Sequence, residues 1–263
     1  MRGSLLGLGL ILSLPVGAGQ APGPSYHPLQ VDCARYRQEI RSVIRLQSSR
    51  QRSRETSGRT GFMVLRATQR DSLLSLEAWF DSLSVWREGA GERLEPETDG
   101  VIGGRFKGLL TGRGAFTAVD RPFVPDEVAE VSDVGDALGE LLPPLAPVAL
   151  IPGAAWKDDF GTVITRIADG RLAGQPVERY RLVRHSTRTE SRLLPDSTAV
   201  SATRRESEAG TYDWSNELGP LRWEREITAD VEVPAGGPVK SPFRTQIEQM
   251  VTVERVGTGC GAP

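Results

Sequence analysis

The sequence predicts a mainly β protein, an antiparallel meander forming a curved or barrel-like sheet with one amphipathic α-helix packed on it. Three observations carry this. Long segments near both ends alternate apolar and polar residues, Gly, Asp-Gly and Pro signals separate shorter strand candidates, and one stretch alone keeps a helical period.

In chain order, "MRGSLLGLGLILSLPVGAGQ" comes first. Arg2 precedes an apolar run from Leu5 to Leu14, and Pro15 with small residues follows. This is the layout of a secretory signal over residues 1–21, cleaved after Ala18 or Ala21. The run is shorter than the about 20 residues of a membrane span. An exported, periplasmic or extracellular location follows. Residues 22–32, "PGPSYHPLQVD", are rich in Pro and Gly and are expected to form a flexible leader.

A single β-rich domain is expected over 33–263. Its strand sets, about 35–120 and about 155–256, are joined by a helix and Pro-rich connector at about 126–153. In the first strand Ile40, Ser42, Ile44 and Leu46 share one face, with Glu39, Arg41 and Arg45 on the other. In "LLSLEAWFDSLSV", Leu74, Leu76, Ala78 and Phe80 alternate with Ser75, Glu77, Trp79 and Asp81. Trp79 therefore falls on the polar face. The helix is read from Val128, Val131, Val134, Leu138, Leu141 and Leu142, which recur every three or four residues. Asp126 starts it and Pro143-Pro144 stops it, while Gly135 and Gly139 weaken it by about 1 kcal/mol each. After the connector, "LRWEREITADVEV" and "FRTQIEQMVTVERV" flank "PAGGP" and read as a long hairpin.

Only two cysteines are present, Cys33 before the first strand and Cys260 after the last. Export permits a disulfide, and a bridge needs the two Cα atoms within about 7 Å. The first and last strands should then run antiparallel and close together, as in a closed or nearly closed barrel. Closure would also remove exposed strand edges.

The helix, the segment "LLPPLAPVALIPGAAWKDDF" and the second strand set together resemble a group of uncharacterised exported bacterial β-rich proteins. The architecture is similar to the half-barrel lipoprotein carriers of the LolA and LppX kind. The match rests on Leu142, Pro143, Pro152, Gly153 and Trp156. Those carriers are often lipidated, whereas here Asp32 precedes Cys33, so the resemblance implies fold alone.

Chemistry is sparse. The histidines are His27, in the leader, and His185, alone near a strand end. No HExxH, GxSxG, CxxC or P-loop pattern occurs, so no catalytic residue, metal ligand or cofactor is assigned. A net charge of −2 gives no field for nucleic acid. Arg37, Arg41 and Arg45 form a polar strip that reads either as an anionic-surface contact or as a wet face paired with glutamates. Residues expected inside the sheet, and so lining any ligand, are Leu76, Phe80, Val131, Leu138, Ile227, Val231 and Ile247.

The leading functional expectation is a non-enzymatic exported protein that binds a lipid or other apolar or amphipathic small molecule. The alternative is an envelope interaction protein with a solid core that works on a protein partner. A carboxylate-based hydrolase is the third class, because two acids suffice for glycoside cleavage.

Overall fold

The computed structural model describes residues 21–49, 52–193, 199–236 and 239–260. The segment expected to be a secretory signal lies outside them apart from Ala21. Among the described residues twelve strands form one antiparallel sheet. The first half contributes β1 (Ala34–Ser48), β2 (Arg52–Arg70), β3 (Leu73–Gly89), β4 (Glu92–Leu94), β5 (Phe106–Thr111) and β6 (Phe116–Asp120). The second half contributes β7 (Ala155–Lys157), β8 (Val163–Leu172), β9 (Gln175–Leu193), β10 (Ala199–Ser215), β11 (Gly219–Val233) and β12 (Phe243–Thr258). The order across the sheet is β6-β5-β3-β2-β1-β12-β11-β10-β9-β8-β7, with β4 added beside β3.

Consecutive strands pair because their turns are short. Ala90-Gly91 and Ala173-Gly174 have positive φ at both residues, the twist that joins strands through two-residue loops. The two halves meet where β1 lies antiparallel to β12, from Ala34 opposite Thr258 to Ser48 opposite Phe243. The Cys33–Cys260 disulfide closes that seam, with Cα atoms 5.0 Å apart. The first and last strands are thus neighbours, as the cysteines imply.

The sheet does not close. β6 and β7 are its edges, and residues 121–154 cross the inner face between them. This segment is not one helix but α2 (Asp126–Ala129) and a 3-10 turn, η1 (Gly139–Leu141). The Asp133 carboxylate accepts from Gly135 N–H at 2.9 Å, a local alternative to helical bonding. All six residues of the apolar pattern are buried nonetheless. Periodicity marked what is inside, but α2 stops at Ala129 and the Asp133–Gly135 contact lies in the non-helical stretch that follows.

The leader differs from expectation too. Pro28–Val31 forms α1, a single helical turn, and Tyr26 and Val31 are buried. Tyr26 donates to Pro143 O at 2.9 Å and sits edge-on to Trp214 with ring centroids 5.0 Å apart. Gly23 N–H donates to Pro147 O, and Pro22 bridges Val148. Composition indicated a loose segment, but one aromatic anchor and this backbone pairing tie it to the connector.

The core lies between the inner face and residues 121–154. Tyr36, Met63, Leu65, Leu76, Phe80 and Phe106 fill the first half, while Tyr180, Tyr212, Trp214 and Trp223 fill the second. On the outer face Trp79 is also buried, because Arg105 stacks 3.9 Å from its ring centre and Arg66 5.8 Å. Guanidinium stacking therefore covers the aromatic that alternation placed among polar residues.

Candidate functional site

The inner face is only partly covered. β1, β2, β10, β11 and β12 extend past residues 129–140, and the uncovered part forms a cleft of about 420 Å³. Register assembles its floor. Ile44 lies opposite Ile247, Ile247 opposite Ala229, Ser42 opposite Gln249 and Gln249 opposite Ile227. Period-2 alternation turns all of them inward, and Ile40 and Val131 complete the apolar lining.

One end of the cleft is ionic. Arg59 replaces an apolar residue at an inward position of β2 and is 1% exposed. Its guanidinium donates to the Glu140 carboxylate, to Asp133 O and to Gln38 Oε1, the last at 3.1 Å. Gln38 Nε2 in turn donates to Glu140 at 2.9 Å and to Ala137 O at 3.4 Å. Residues 133–140 are thus fixed to the sheet by a buried charge network rather than by apolar contact alone. Three carboxylates of the cleft are already engaged: Glu140 by Arg59 and Gln38, Asp136 by Arg121 at 2.7 Å, and Asp133 by Gly135 N–H. Arg204 pairs with Glu206 at 2.7 Å.

A second cleft, of about 500 Å³, lies on the other side of the connector. Phe116, Trp156, Phe160 and Trp223 contribute aromatic walls. Glu208, buried in β10, accepts from Arg184 at 2.5 Å and from Arg225 at 3.2 Å. The Arg225 guanidinium also lies 4.5 Å from the Trp223 ring centre. Asp158, at its rim, is used by the turn itself, accepting from Phe160 N–H and Thr162 N–H.

Of the seven expected lining residues, the first cleft brings together Val131, Ile227 and Ile247. Val231 is half-buried on the same face, opposite Thr245 and towards the strand ends. Leu76, Phe80 and Leu138 are packed inside the core. Gly135 and Gly139 do not open the cleft. Phe116 lies against Gly139, and Arg121 and Asp133 lie against Gly135. The opening comes instead from the length of the strands beyond the connector. Sequence reasoning did not assign Ile40, Ile44 or Arg59 to the lining. The first two were legible from alternation, whereas Arg59 and its network required the fold.

Arg37, Arg41 and Arg45 point from the outer face, Arg37 paired with Glu39 and Arg45 with Glu248. His27 and His185 are exposed and far apart in the topology. Among the described residues, the one grouping of metal-ligand types is Asp32 with Cys33 and Cys260, whose sulfurs are consumed by the disulfide. Among those residues no helix is long and apolar enough to cross a membrane.

No protein-family model matches the chain, and no curated protein matches it. Among solved structures it is similar to Neisserial surface protein A, at 10% identity and a TM-score of 0.25, over 84% of this chain and 96% of that one. It is also similar to the COG4313 outer membrane channel from Pseudomonas putida F1, at 8% identity and a TM-score of 0.23, over 92% and 99% of the two chains. Similarity at that level assigns neither fold nor function, and the architecture stands on its own strand pairing.

Proposed function

We propose that this chain is an exported carrier or sensor that holds one amphipathic small molecule in the cleft floored by Ile40, Ile44, Ile227 and Ile247. One observation carries the reading. Ile44, Ile247 and Ile227, from three adjacent strands, stay half-buried at the base of an about 420 Å³ cleft, with Ile40 buried beside them, whereas Leu76, Phe80 and Leu138 are packed into the core. That volume lies in the range of small-molecule sites, about 300–1,000 Å³. The apolar floor suits a hydrocarbon portion, and the Ser42, Gln249 and Arg204 side suits a polar head. The expected secretory signal agrees with export, and the ion pairs that occupy Asp136 and Glu140 favour binding over hydrolysis.

Titration with a fluorescent fatty-acid analogue tests it. Saturable binding to the disulfide-intact protein is expected, with loss in Ala229→Trp, which fills the floor. Circular dichroism of the variant separates lost binding from lost folding. No saturable binding, or binding indifferent to Ala229→Trp in a folded variant, would leave the envelope interaction protein as the better reading.

A further inference from the structure

The outer face carries a charge arrangement that the inner cleft does not explain. Near the β1–β2 hairpin end, register sets Arg45 directly opposite Arg54. One step further, Gln47 lies between Arg52 on β2 and Arg244 on β12. Like charges directly opposite on one sheet face oppose pairing. Two carboxylates answer the four guanidiniums: Glu248 pairs with Arg45, and Asp230 with Arg244 at 2.7 Å. Arg52 and Arg54 are exposed and make no hydrogen bond or ion pair among the described residues, and neither does Arg41. The excess is therefore positive, and it is confined. On the next strand, β11, the outer face turns acidic with Glu226, Asp230 and Glu232.

We propose that this face of β1, β2 and β12 docks on a bilayer bearing anionic phospholipid headgroups. Strands lie about 4.8 Å apart, and same-face residues repeat about every 6.6 Å along each strand. The guanidiniums are accordingly spread over an area rather than converging on one point, which fits an array of phosphates better than a single small anion. The depression among them, about 370 Å³, is lined by arginine with Gln47 and Gln246 between. Arginine pairs with phosphate in bidentate fashion and is weakly hydrated for a cation. Beside Arg41, Met250 is 66% exposed, an apolar side chain on the same face that can enter the headgroup region. The surface is independent of the inner cleft and of any ligand held there.

Sedimentation of the full chain with two vesicle types tests the proposal, phosphatidylglycerol mixed with phosphatidylcholine and phosphatidylcholine alone. Binding only to the first is expected, weakening as salt rises. Each arginine removed should lower the partition coefficient about fivefold, so Arg52→Gln with Arg54→Gln should lower it about 30-fold. Neither side chain makes a hydrogen bond or close ion pair among the described residues, and Arg54 acts on Glu248 only at longer range, so the double variant should keep the wild-type circular dichroism. Arg171→Gln, in β8 and away from this face, serves as the control and should bind like the wild type. Equal binding to both vesicle types would overturn the proposal. So would full retention in the double variant, an equal loss in the control, or a surface that takes inorganic phosphate or heparin but not vesicles.

Discussion

Arg59 and Glu140 join β2 to the segment crossing the inner face, with the Arg59 side chain fully withdrawn from solvent and Glu140 19% exposed. A guanidinium in that position is tolerated only because Glu140, Gln38 and Asp133 O all accept from it. Removing one partner strands the other. Glu140→Gln should therefore destabilise the protein by about 3 kcal/mol, within the range for broken buried pairs. Joint replacement by Arg59→Met and Glu140→Leu should recover most of the loss. Urea unfolding of the single and double variants measures both. A double variant less stable than Glu140→Gln would mean that the network, rather than simple burial, holds residues 133–140 in place.

The Cys33–Cys260 bridge acts on the whole chain, because it links residues 227 apart at the seam of β1 and β12. Loop closure of that length restricts the unfolded chain by at most about 5 kcal/mol. Cys33→Ser with Cys260→Ser should lower the thermal midpoint while leaving the far-ultraviolet dichroism unchanged at room temperature. Loss of the β spectrum in the double variant would show that the seam needs the covalent tie to form.

All four tyrosines, Tyr26, Tyr36, Tyr180 and Tyr212, have pKa values pushed upward, chiefly by burial, Tyr36 to about 12. For Tyr180 the neighbouring Glu178, which accepts its hydroxyl proton, adds to the effect. A folded pKa above the unfolded value of about 10 means that the native state holds protons the unfolded state has released. The associated stability is complete below about pH 10 and is lost as pH rises beyond it. Tyrosinate absorbance should thus stay low in the native protein past pH 10 and appear together with unfolding. Gradual ionisation of even one tyrosine near pH 10 with the dichroism intact would contradict this.

Much of the sheet was legible, and the reason is local. Alternation in 34–48, 73–89 and 219–258 depends on residues two apart, and the cysteines fixed which strands meet at the seam. What was not legible depends on contacts between distant segments. Asp133, inside the predicted helix, instead gives its carbonyl oxygen to Arg59 on a strand 74 residues away and its carboxylate to Gly135 N–H. Tyr26 organised the leader through Pro143 and Trp214, a partnership invisible in "GPSYHP". The cleft shares this dependence. Its isoleucines could be assigned to a face, but whether that face was covered depended on where residues 129–140 stop.

Trp156 illustrates a graded version of the same point. A large aromatic at the start of a strand after the Pro152-Gly153 turn suggests a buried anchor, and Trp156 does sit in β7 against the core, but only half-buried at the edge of the sheet. Trp156→Ala should accordingly cost about 1–2 kcal/mol, below the about 3–5 kcal/mol of a fully buried aromatic. Chemical denaturation measures it. A loss near the upper figure would mean that the ring is enclosed in solution.

The edge at β6 depends on one aromatic ring. Phe116 pairs opposite Leu110, and its side chain lies across Gly108 on β5 and against Gly139 at η1. A Cβ at Gly108 would fall 2.2 Å from Phe116 Cε2, and one at Gly139 would fall 2.9 Å from Cδ1. Neither position admits a methyl group while the ring stays, so both glycines serve close approach rather than an unusual backbone angle. Gly108→Ala should cost about 1–3 kcal/mol, the usual penalty of overpacking. In a Phe116→Ala background the clash is gone and the same substitution should cost much less, giving a coupling of about 1–2 kcal/mol in a double-mutant cycle. Additive losses would show that the ring does not occupy the space above Gly108, and with it would go the contact that holds β6 to the crossing segment.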